Sequence, residues 1–209
     1  MPRHLAALAL ALLAPLAAGC GGSSSSGAKT PAPATATATP AQRFTPLDPS
    51  RTYVAKVTTS YGSISITLDA KRAPKTGGSF KYLADKHFYD GLTFHRIVPD
   101  FVIQGGDPKG DGTGGPGYTA VEAPPSNLVY KPGVVAMAKT QDEAPGTSGS
   151  QFFIVIGAQA QSLTPDYALL GTVTKGMDVA EAIGRIKADP DTGAPSKKVT
   201  IKSIRVTEK

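Results

Sequence analysis

The sequence predicts a mostly β domain, an antiparallel barrel or sandwich capped by two helices. Between residues 52 and 209, about eight short segments carry apolar side chains at strand spacing and are separated by turn residues. Two longer stretches carry apolar side chains at helical spacing instead. No internal repeat divides this part of the chain. These patterns favour one β-rich domain with helices at its ends.

The first elements of this domain are a hairpin and a helix. Residues 53–59 and 63–68 are predicted strands around a turn at residues 60–62. In the second strand, isoleucine and leucine alternate with serine and threonine, as in a half-buried strand. Pro74 suits the first turn of a helix running to about residue 86. Its apolar stripe of Phe80, Leu83 and Ala84 predicts a helix that caps a barrel end.

The stretch FHRIVPDFVIQGGD, residues 94–107, carries the first candidate site. It predicts strands at residues 92–98 and 101–104, joined by a turn at Pro99-Asp100. Arg96 and Gln104 place one polar group on each strand of an otherwise apolar run, which is the composition of a ligand pocket. On this stretch alone, a structural role is equally compatible, with Arg96 paired to an acid and Gln104 capping a strand edge.

The stretch SGSQFFIVI, residues 148–156, predicts a strand with a flexible, glycine-bearing entry. Because strand side chains alternate between faces, Gln151 and Phe153 share one face and Phe152 takes the other. One aromatic ring can therefore fill the core while the next lines a site beside an amide.

The remaining elements complete the β-rich pattern. Residues 134–138 and 167–173 are short predicted strands, and residues 178–186 are a second amphipathic helix. Residues 199–207 form the last predicted strand, in which the apolar phase slips at Ser203 and indicates a bulge.

The glycine-rich loop at residues 105–118 contains a misleading motif. Two overlapping segments match the dinucleotide fingerprint GxGxxG. That motif needs a helix N-terminus directly behind it, and here Pro116 and Gly117 interrupt any helix. We therefore expect a loop that packs on its own barrel and binds no nucleotide.

The sequence lacks the residue patterns typical of nucleic-acid-binding proteins, metalloproteins and serine hydrolases. The net charge is +6, but no run of five basic residues marks a nucleic-acid surface, and we expect no nucleic-acid partner. Downstream of residue 19 the only histidines are His87 and His95, and no His/Cys/Asp group has metal-ligand spacing. GTSGS, residues 146–150, misses the GxSxG nucleophile elbow at its last residue. We expect neither a metal nor a cofactor.

The ordered set FHRIVPDFVIQGGD, GTGG, SGSQFFI and DYALLGTVTKGMDV resembles the cyclophilins, the β-barrel peptidyl-prolyl isomerases. The resemblance runs over about residues 52–207. It implies a closed eight-stranded antiparallel β-barrel with a helix over each end. It also implies prolyl isomerase activity without a cofactor, acting on proline-containing polypeptides.

The residues allow that reaction. Arg96 offers donors to the nitrogen of a twisted Xaa-Pro amide, and Gln104 would bind a substrate carbonyl. With Phe101, they are the candidate catalytic residues. The proline slot and the backbone that aligns the peptide would be formed by Phe101, Val102, Phe153, Leu163, Ala138, Lys139 and Thr140. The resemblance implies the same roles and adds Gly112, Gln151 and Tyr167 at the rim.

A rival hypothesis is a non-catalytic module that holds proline-containing segments as a chaperone or scaffold on the same barrel. Its binding site would have the same composition. Arg96 discriminates between the two, because binding a proline ring does not require a charged donor.

The first 51 residues predict export. Residues 1–19 have the composition of a signal peptide, with Arg3 before an apolar run too short to span a bilayer. LAAGC, residues 16–20, resembles the lipobox of bacterial lipoproteins, which predicts lipidation of Cys20. A plain secretory signal with a free cysteine is the alternative. Residues 20–51 are then a Gly/Ser/Pro/Ala/Thr linker and residues 52–209 an isomerase domain. We expect a monomer, extracytoplasmic and lipid-anchored to a bacterial membrane.

Overall fold

The computed structural model describes residues 43–209. The predicted signal peptide, Cys20 and most of the predicted linker lie outside these residues. Within them, ten strands, two α-helices and one short 3₁₀ helix are formed. They are β1 Tyr53–Thr59, β2 Gly62–Leu68, α1 Pro74–Asp85, β3 Phe94–Val98, β4 Val102–Gly105, β5 Ala120–Val121, β6 Val134–Met137, β7 Thr147–Ser148, β8 Phe152–Val155, the 3₁₀ helix Ala158–Ser162, β9 Leu169–Lys175, α2 Met177–Gly184 and β10 Ile201–Glu208.

Eight of the strands form one antiparallel sheet in the order β10-β1-β2-β9-β6-β8-β4-β3, while β5 pairs with β7 alone. The mostly β, eight-stranded fold with two helices is therefore confirmed. The expected full closure was overstated. The edge strands meet only at a short junction, where Thr93 pairs with Thr200 and Phe94 N donates to Val199 O at 3.0 Å. Farther along β3, Ile97 N donates to a loop carbonyl at Gly193 instead of to β10.

The main core lies between the sheet and the helices. Phe152 forms edge-to-face pairs with Phe80 of α1 and Phe94 of β3, at 5.6 and 5.8 Å between ring centroids. The predicted stripe of α1 is buried, and α2 buries Ala180 and Ile183. Burial of each phenylalanine, leucine or isoleucine side chain in this core contributes about 1.5–3 kcal/mol to the stability of the fold. Among residues 43–209, no helix has the length and hydrophobicity needed to cross a membrane.

Element boundaries differ from the predictions where side chains interrupt the strand pattern. β9 begins at Leu169, two residues later than expected, because the backbone of Tyr167 is bonded by the Tyr130 hydroxyl. The predicted bulge is present one residue earlier than expected. Thr58 pairs with Ser203 and Thr59 with Ile201, so the residue between them on β10 is unpaired.

Packing begins before the predicted domain boundary at residue 52. Leu47 N donates to Pro74 O at 2.9 Å, and the Leu47 side chain is 5% exposed. Phe44 stacks on Tyr118, with ring centroids 6.0 Å apart. Gly77 lets Leu47 come close to α1, because a Cβ at position 77 would press on the Leu47 side chain. Residues 44–47 thus form an N-terminal strap on α1, and the folded unit starts inside the segment predicted as linker.

Candidate active site

A cavity of about 290 Å³ opens between β3, β4, β6, β8 and the segment after the 3₁₀ helix. Arg96 and Gln104 reach it from neighbouring strands, because β3 and β4 place them directly opposite each other. It contains ten of the predicted site residues together with Gln141, which was not predicted. Its lining consists of Arg96, Phe101, Val102, Gln104, Ala138, Lys139, Thr140, Gln141, Phe153, Leu163 and Tyr167.

A second cavity of about 630 Å³ adjoins the first, since Gln104 and residues 138–140 line both. Gly112 and Gln151, the two other predicted rim residues, line this second cavity. All twelve predicted site residues are therefore brought together along one continuous groove. Its form suits an extended peptide with one ring in the smaller cavity.

A chain of side-chain hydrogen bonds runs along the groove. Arg96 Nη1 donates to Gln104 Oε1 at 3.4 Å, and Gln104 Nε2 donates to Gln151 Oε1 at 3.0 Å. Gln151 Nε2 then donates to the carbonyls of Gly112 and Gly114, at 2.9 Å each. The amide of Gln104 is thus oriented at both ends, with its oxygen toward the guanidinium.

Arg96 has no acidic partner among the residues that the structure describes. Its hydrogen bond to Gln104 is long and leaves most guanidinium donors directed elsewhere. The structural alternative for Arg96, pairing with an acid, is therefore wrong for this part of the chain. A half-buried cation at the wall of an apolar slot is available to a ligand.

Aromatic side chains form another part of the wall of the slot. Phe153 is 5% exposed and contacts Tyr167 edge to face at 5.4 Å, whereas Phe152 points into the main core. The predicted division of the two rings between faces is confirmed. Lys139 Nζ lies 5.8 Å above the Tyr167 ring, which places a cation at this rim.

Tyr130 fixes this wall, and sequence reasoning missed it. Its buried hydroxyl donates to Tyr167 O at 2.7 Å and accepts from Tyr167 N at 3.0 Å. Burial raises the pKa of Tyr130 to about 12, so the hydroxyl stays a donor. Because Tyr130 and Tyr167 are distant in the chain, no local pattern in the sequence could have paired them.

The glycine-rich loop folds around Asp107, while Gln151 of the barrel donates to its carbonyls at Gly112 and Gly114. This buried carboxylate accepts from the backbone N–H groups of Lys109, Asp111 and Gly112 at 2.8, 3.1 and 2.6 Å. Burial opposes the ionisation of Asp107, but the backbone donors of Lys109, Gly112 and Gly114 outweigh it and hold its pKa below the usual range. Two of the GxGxxG glycines, Gly112 and Gly114, thus bind the protein's own carboxylate.

His95 contributes to the fold rather than to the slot. Both ring nitrogens are buried without a hydrogen-bond partner among the described residues, and neither cavity includes this side chain. Burial lowers the pKa of His95, and Arg96 adds to this effect while Asp107 opposes it. Burial thus favours the neutral imidazole, which lies outside both cavities as the strand alternation predicted.

Comparisons with known proteins identify one family for this chain. A family model described as "Cyclophilin type peptidyl-prolyl cis-trans isomerase/CLD" matches residues 54–206. Peptidyl-prolyl cis-trans isomerase B of Streptomyces anulatus is 38% identical over 170 residues, covering 73% of this chain and 95% of that protein. Peptidyl-prolyl cis-trans isomerase B of Bacillus subtilis is 44% identical over 119 residues, covering 56% and 80%.

A solved structure has the same architecture. The crystal structure of a cyclophilin-type peptidyl-prolyl cis-trans isomerase from Cryptosporidium parvum, in the presence of the dipeptide Ala-Pro, matches with a TM-score of 0.67. The two proteins are 30% identical, and the match covers 74% of this chain and 98% of the other.

Proposed function

The chain belongs to the cyclophilin-type peptidyl-prolyl cis-trans isomerase family and is such an isomerase, and we propose that it acts on extracytoplasmic proteins to assist their folding. Family membership rests on the match over residues 54–206. The extracytoplasmic setting is supported by the signal-like composition of residues 1–19. Slow Xaa-Pro isomerisation limits folding in many chains, so an exported isomerase would serve newly exported ones.

The reaction requires no covalent partner. The barrier to rotation, ~18–20 kcal/mol, comes from amide resonance, which is lost when the bond twists. In the twisted state the proline nitrogen regains its lone pair and accepts a hydrogen bond. A donor aimed at that nitrogen stabilises the twisted form over both planar forms and so accelerates exchange in either direction.

Arg96 is the group that we assign to this donation. Its guanidinium lines the slot beside Phe101 and Val102, and within residues 43–209 its only hydrogen bond is the long contact to Gln104. The absence of an acidic partner within residues 43–209 is the observation that carries the assignment. An arginine held for stability alone would be expected to pair with a carboxylate.

The rest of the groove would hold the substrate on either side of the twisting bond. The proline ring would enter between Phe101, Phe153 and Leu163, and the backbone of residues 138–140 would align the peptide. Gln104, oriented by Arg96 and Gln151, keeps one amide N–H for a substrate carbonyl. The Ala-Pro dipeptide present with the C. parvum relative supports a proline-containing ligand here.

The test is NMR exchange spectroscopy on one Xaa-Pro peptide, which gives affinity and interconversion rate from the same samples. Arg96→Ala is expected to lose ~10²–10³ in rate, or about 2.7–4 kcal/mol, with little change in affinity. Arg96→Lys keeps the charge but loses the planar fork, and is expected to resemble Arg96→Ala. Arg185→Ala removes an exposed surface arginine and is the control for lost charge.

If the Arg96→Ala variant exchanges the peptide as fast as the wild type at equal saturation, the role assigned to Arg96 is refuted. Binding without accelerated exchange in the wild type would favour the rival hypothesis, a chaperone or scaffold that only holds proline segments. The two results are separable because the peptide reports affinity independently of rate.

A lipid anchor at Cys20 completes the proposal. The LAAGC sequence at residues 16–20 supports lipidation, and the Gly/Ser/Pro-rich composition that follows supports a tether to a bacterial membrane. The isomerase would then act, as a monomer, on proteins emerging at that membrane.

A further inference from the structure

The part of edge strand β3 that carries Arg96 is covered by the loop at residues 189–194. Ile97 N donates to Gly193 O at 2.8 Å, so the loop takes the place of a neighbouring strand. On its other side, β3 pairs with β4, where Gln104 lies opposite Arg96. Arg96 is therefore flanked by Gln104 on one side and Gly193 on the other.

Gly193 leaves room that any other residue would fill. A Cβ at this position would lie 2.9 Å from Arg96 Cγ and 3.2 Å from Ile97 O. Real Cβ atoms essentially never come as close as 2.9 Å to another carbon, and Cγ is near the root of the arginine side chain. Relief of this contact would therefore rotate the whole side chain, including the guanidinium.

The loop that holds Gly193 is itself fixed. Asp189 Oδ1 accepts from Asp191 N at 3.1 Å and from Thr192 N and Oγ1 at 2.8 and 2.9 Å. Gly193 N donates to Asp189 O at 2.9 Å, which closes the turn. Gly193 has φ +75°, a conformation that glycine adopts without strain. Since the turn is closed by these bonds, it cannot easily retreat from Arg96.

We propose that Gly193 is a positioning residue for isomerisation, which holds the Arg96 side chain against Gln104 by leaving space for its aliphatic stem. The proposal rests on the role of Arg96 in the proposed function. Gly193 touches no substrate. It sets the direction of the guanidinium from outside the groove, while Gln104 sets it from inside.

The test compares Gly193→Ala and Gly193→Asn with Gly91→Ala and Gly91→Asn. Gly91 has a similar positive φ of +84°, but a Cβ there would meet no atom within 4 Å. Both sites therefore carry a similar cost of positive φ, and only Gly193 gains a contact with Arg96. Asparagine tolerates positive φ better than alanine, so it keeps the test valid if Gly193→Ala folds poorly.

Both Gly193 variants are expected to lose about ten- to hundred-fold in exchange rate at saturation, the effect of a misplacement near 1 Å. Their affinity for the peptide should stay within about two-fold, since the proline slot is intact. The Gly91 variants should exchange at the wild-type rate. A wild-type rate in Gly193→Asn, or an equal loss in the Gly91 variants, would overturn the proposal.

A double-mutant cycle separates this proposal from the proposed function. If Gly193 acts through Arg96, adding Gly193→Asn to Arg96→Ala should change the rate no further. If Gly193→Asn lowers the exchange rate of Arg96→Ala as much as it lowers that of the wild type, Gly193 acts by another route. That result would overturn the proposal for Gly193 and leave the proposed function intact. A wild-type rate in Arg96→Ala by itself would instead refute the mechanism assigned to Arg96.

Discussion

Two adjacent residues show how alternation along one strand separates a side chain that lines the slot from one that fills the core. Phe152 and Phe153 both belong to β8 and both are buried. Phe152 contacts Phe80, Tyr89 and Phe94 in the main core. Phe153 contacts Tyr130 and Tyr167 at the slot. The same residue type therefore serves two purposes that only its position in the strand distinguishes.

Alanine substitution at these two positions should affect different properties of the protein. Phe153→Ala opens the slot, so peptide affinity and exchange rate should fall together. Phe152→Ala leaves a core cavity and should cost about 3–5 kcal/mol in the free energy of unfolding, with exchange per folded molecule preserved. Urea denaturation and NMR exchange on both variants measure the two effects. Equal loss of peptide affinity in both variants would contradict the proposal that Phe153 contacts the proline ring of the substrate.

The half-buried His95, whose ring nitrogens are both inaccessible to solvent, predicts a pH dependence of stability. Burial lowers the pKa of His95, so the unfolded chain binds a proton that the folded chain refuses. Its contribution to the free energy of unfolding is full above the usual histidine pKa of 6.5 and is lost as the pH falls below it. Asp90, whose pKa is lowered to about 2 by Arg205, loses its contribution only below the usual 3.8.

Denaturation between pH about 7 and about 5 should therefore show a slope that belongs to His95. His95→Gln removes the titrating group, so this slope should disappear while the acid transition below pH about 4 persists. An unchanged slope in His95→Gln would mean that the folded protein accepts the proton at His95 without cost.

At the scale of elements, the sequence predicted the features that depend only on neighbouring residues. The strands around Arg96 and Gln104, both α-helices and the β10 bulge follow from apolar spacing within a few residues. Two-residue strands β5 and β7 are too short for a period, and they exist because Ala120 and Val121 pair with residues distant in the chain. Likewise, the Tyr130 bond to Tyr167 and the Gly193 contact with Arg96 depend on tertiary packing.

The N-terminal strap at residues 44–47 is another element that composition concealed, since it continues a Pro/Ala/Thr-rich stretch. Leu47→Ala should cost about 2–5 kcal/mol in the free energy of unfolding, because this side chain is buried against α1. Val129→Ala, at a position 51% exposed, is the control and should change stability little. Thermal unfolding measures both. Equal stability of Leu47→Ala and wild type would mean that the strap adds nothing to the fold.

At the scale of the whole molecule, the sheet joins the two ends of the domain. β1 pairs with β10 over seven register positions. The first strand therefore cannot complete its pairing until the last strand of the chain is available. Such non-local pairing slows folding and requires the complete chain. In the proposed extracytoplasmic setting, a protein of this topology would fold after translocation rather than during it.

The proposed anchor makes a prediction for the intact protein. The sequence before Cys20 is a short apolar run ending in small residues, the arrangement that resembles a lipoprotein signal. One acyl chain alone binds membranes only marginally, whereas multiple chains give stable attachment. Wild-type protein should therefore sediment with membranes, and Cys20→Ser should be released or remain unprocessed. Ser23→Ala, three residues on, is the control and should stay membrane-bound. Soluble wild-type protein whose mature chain begins elsewhere would favour a plain secretory signal and leave the isomerase assignment intact.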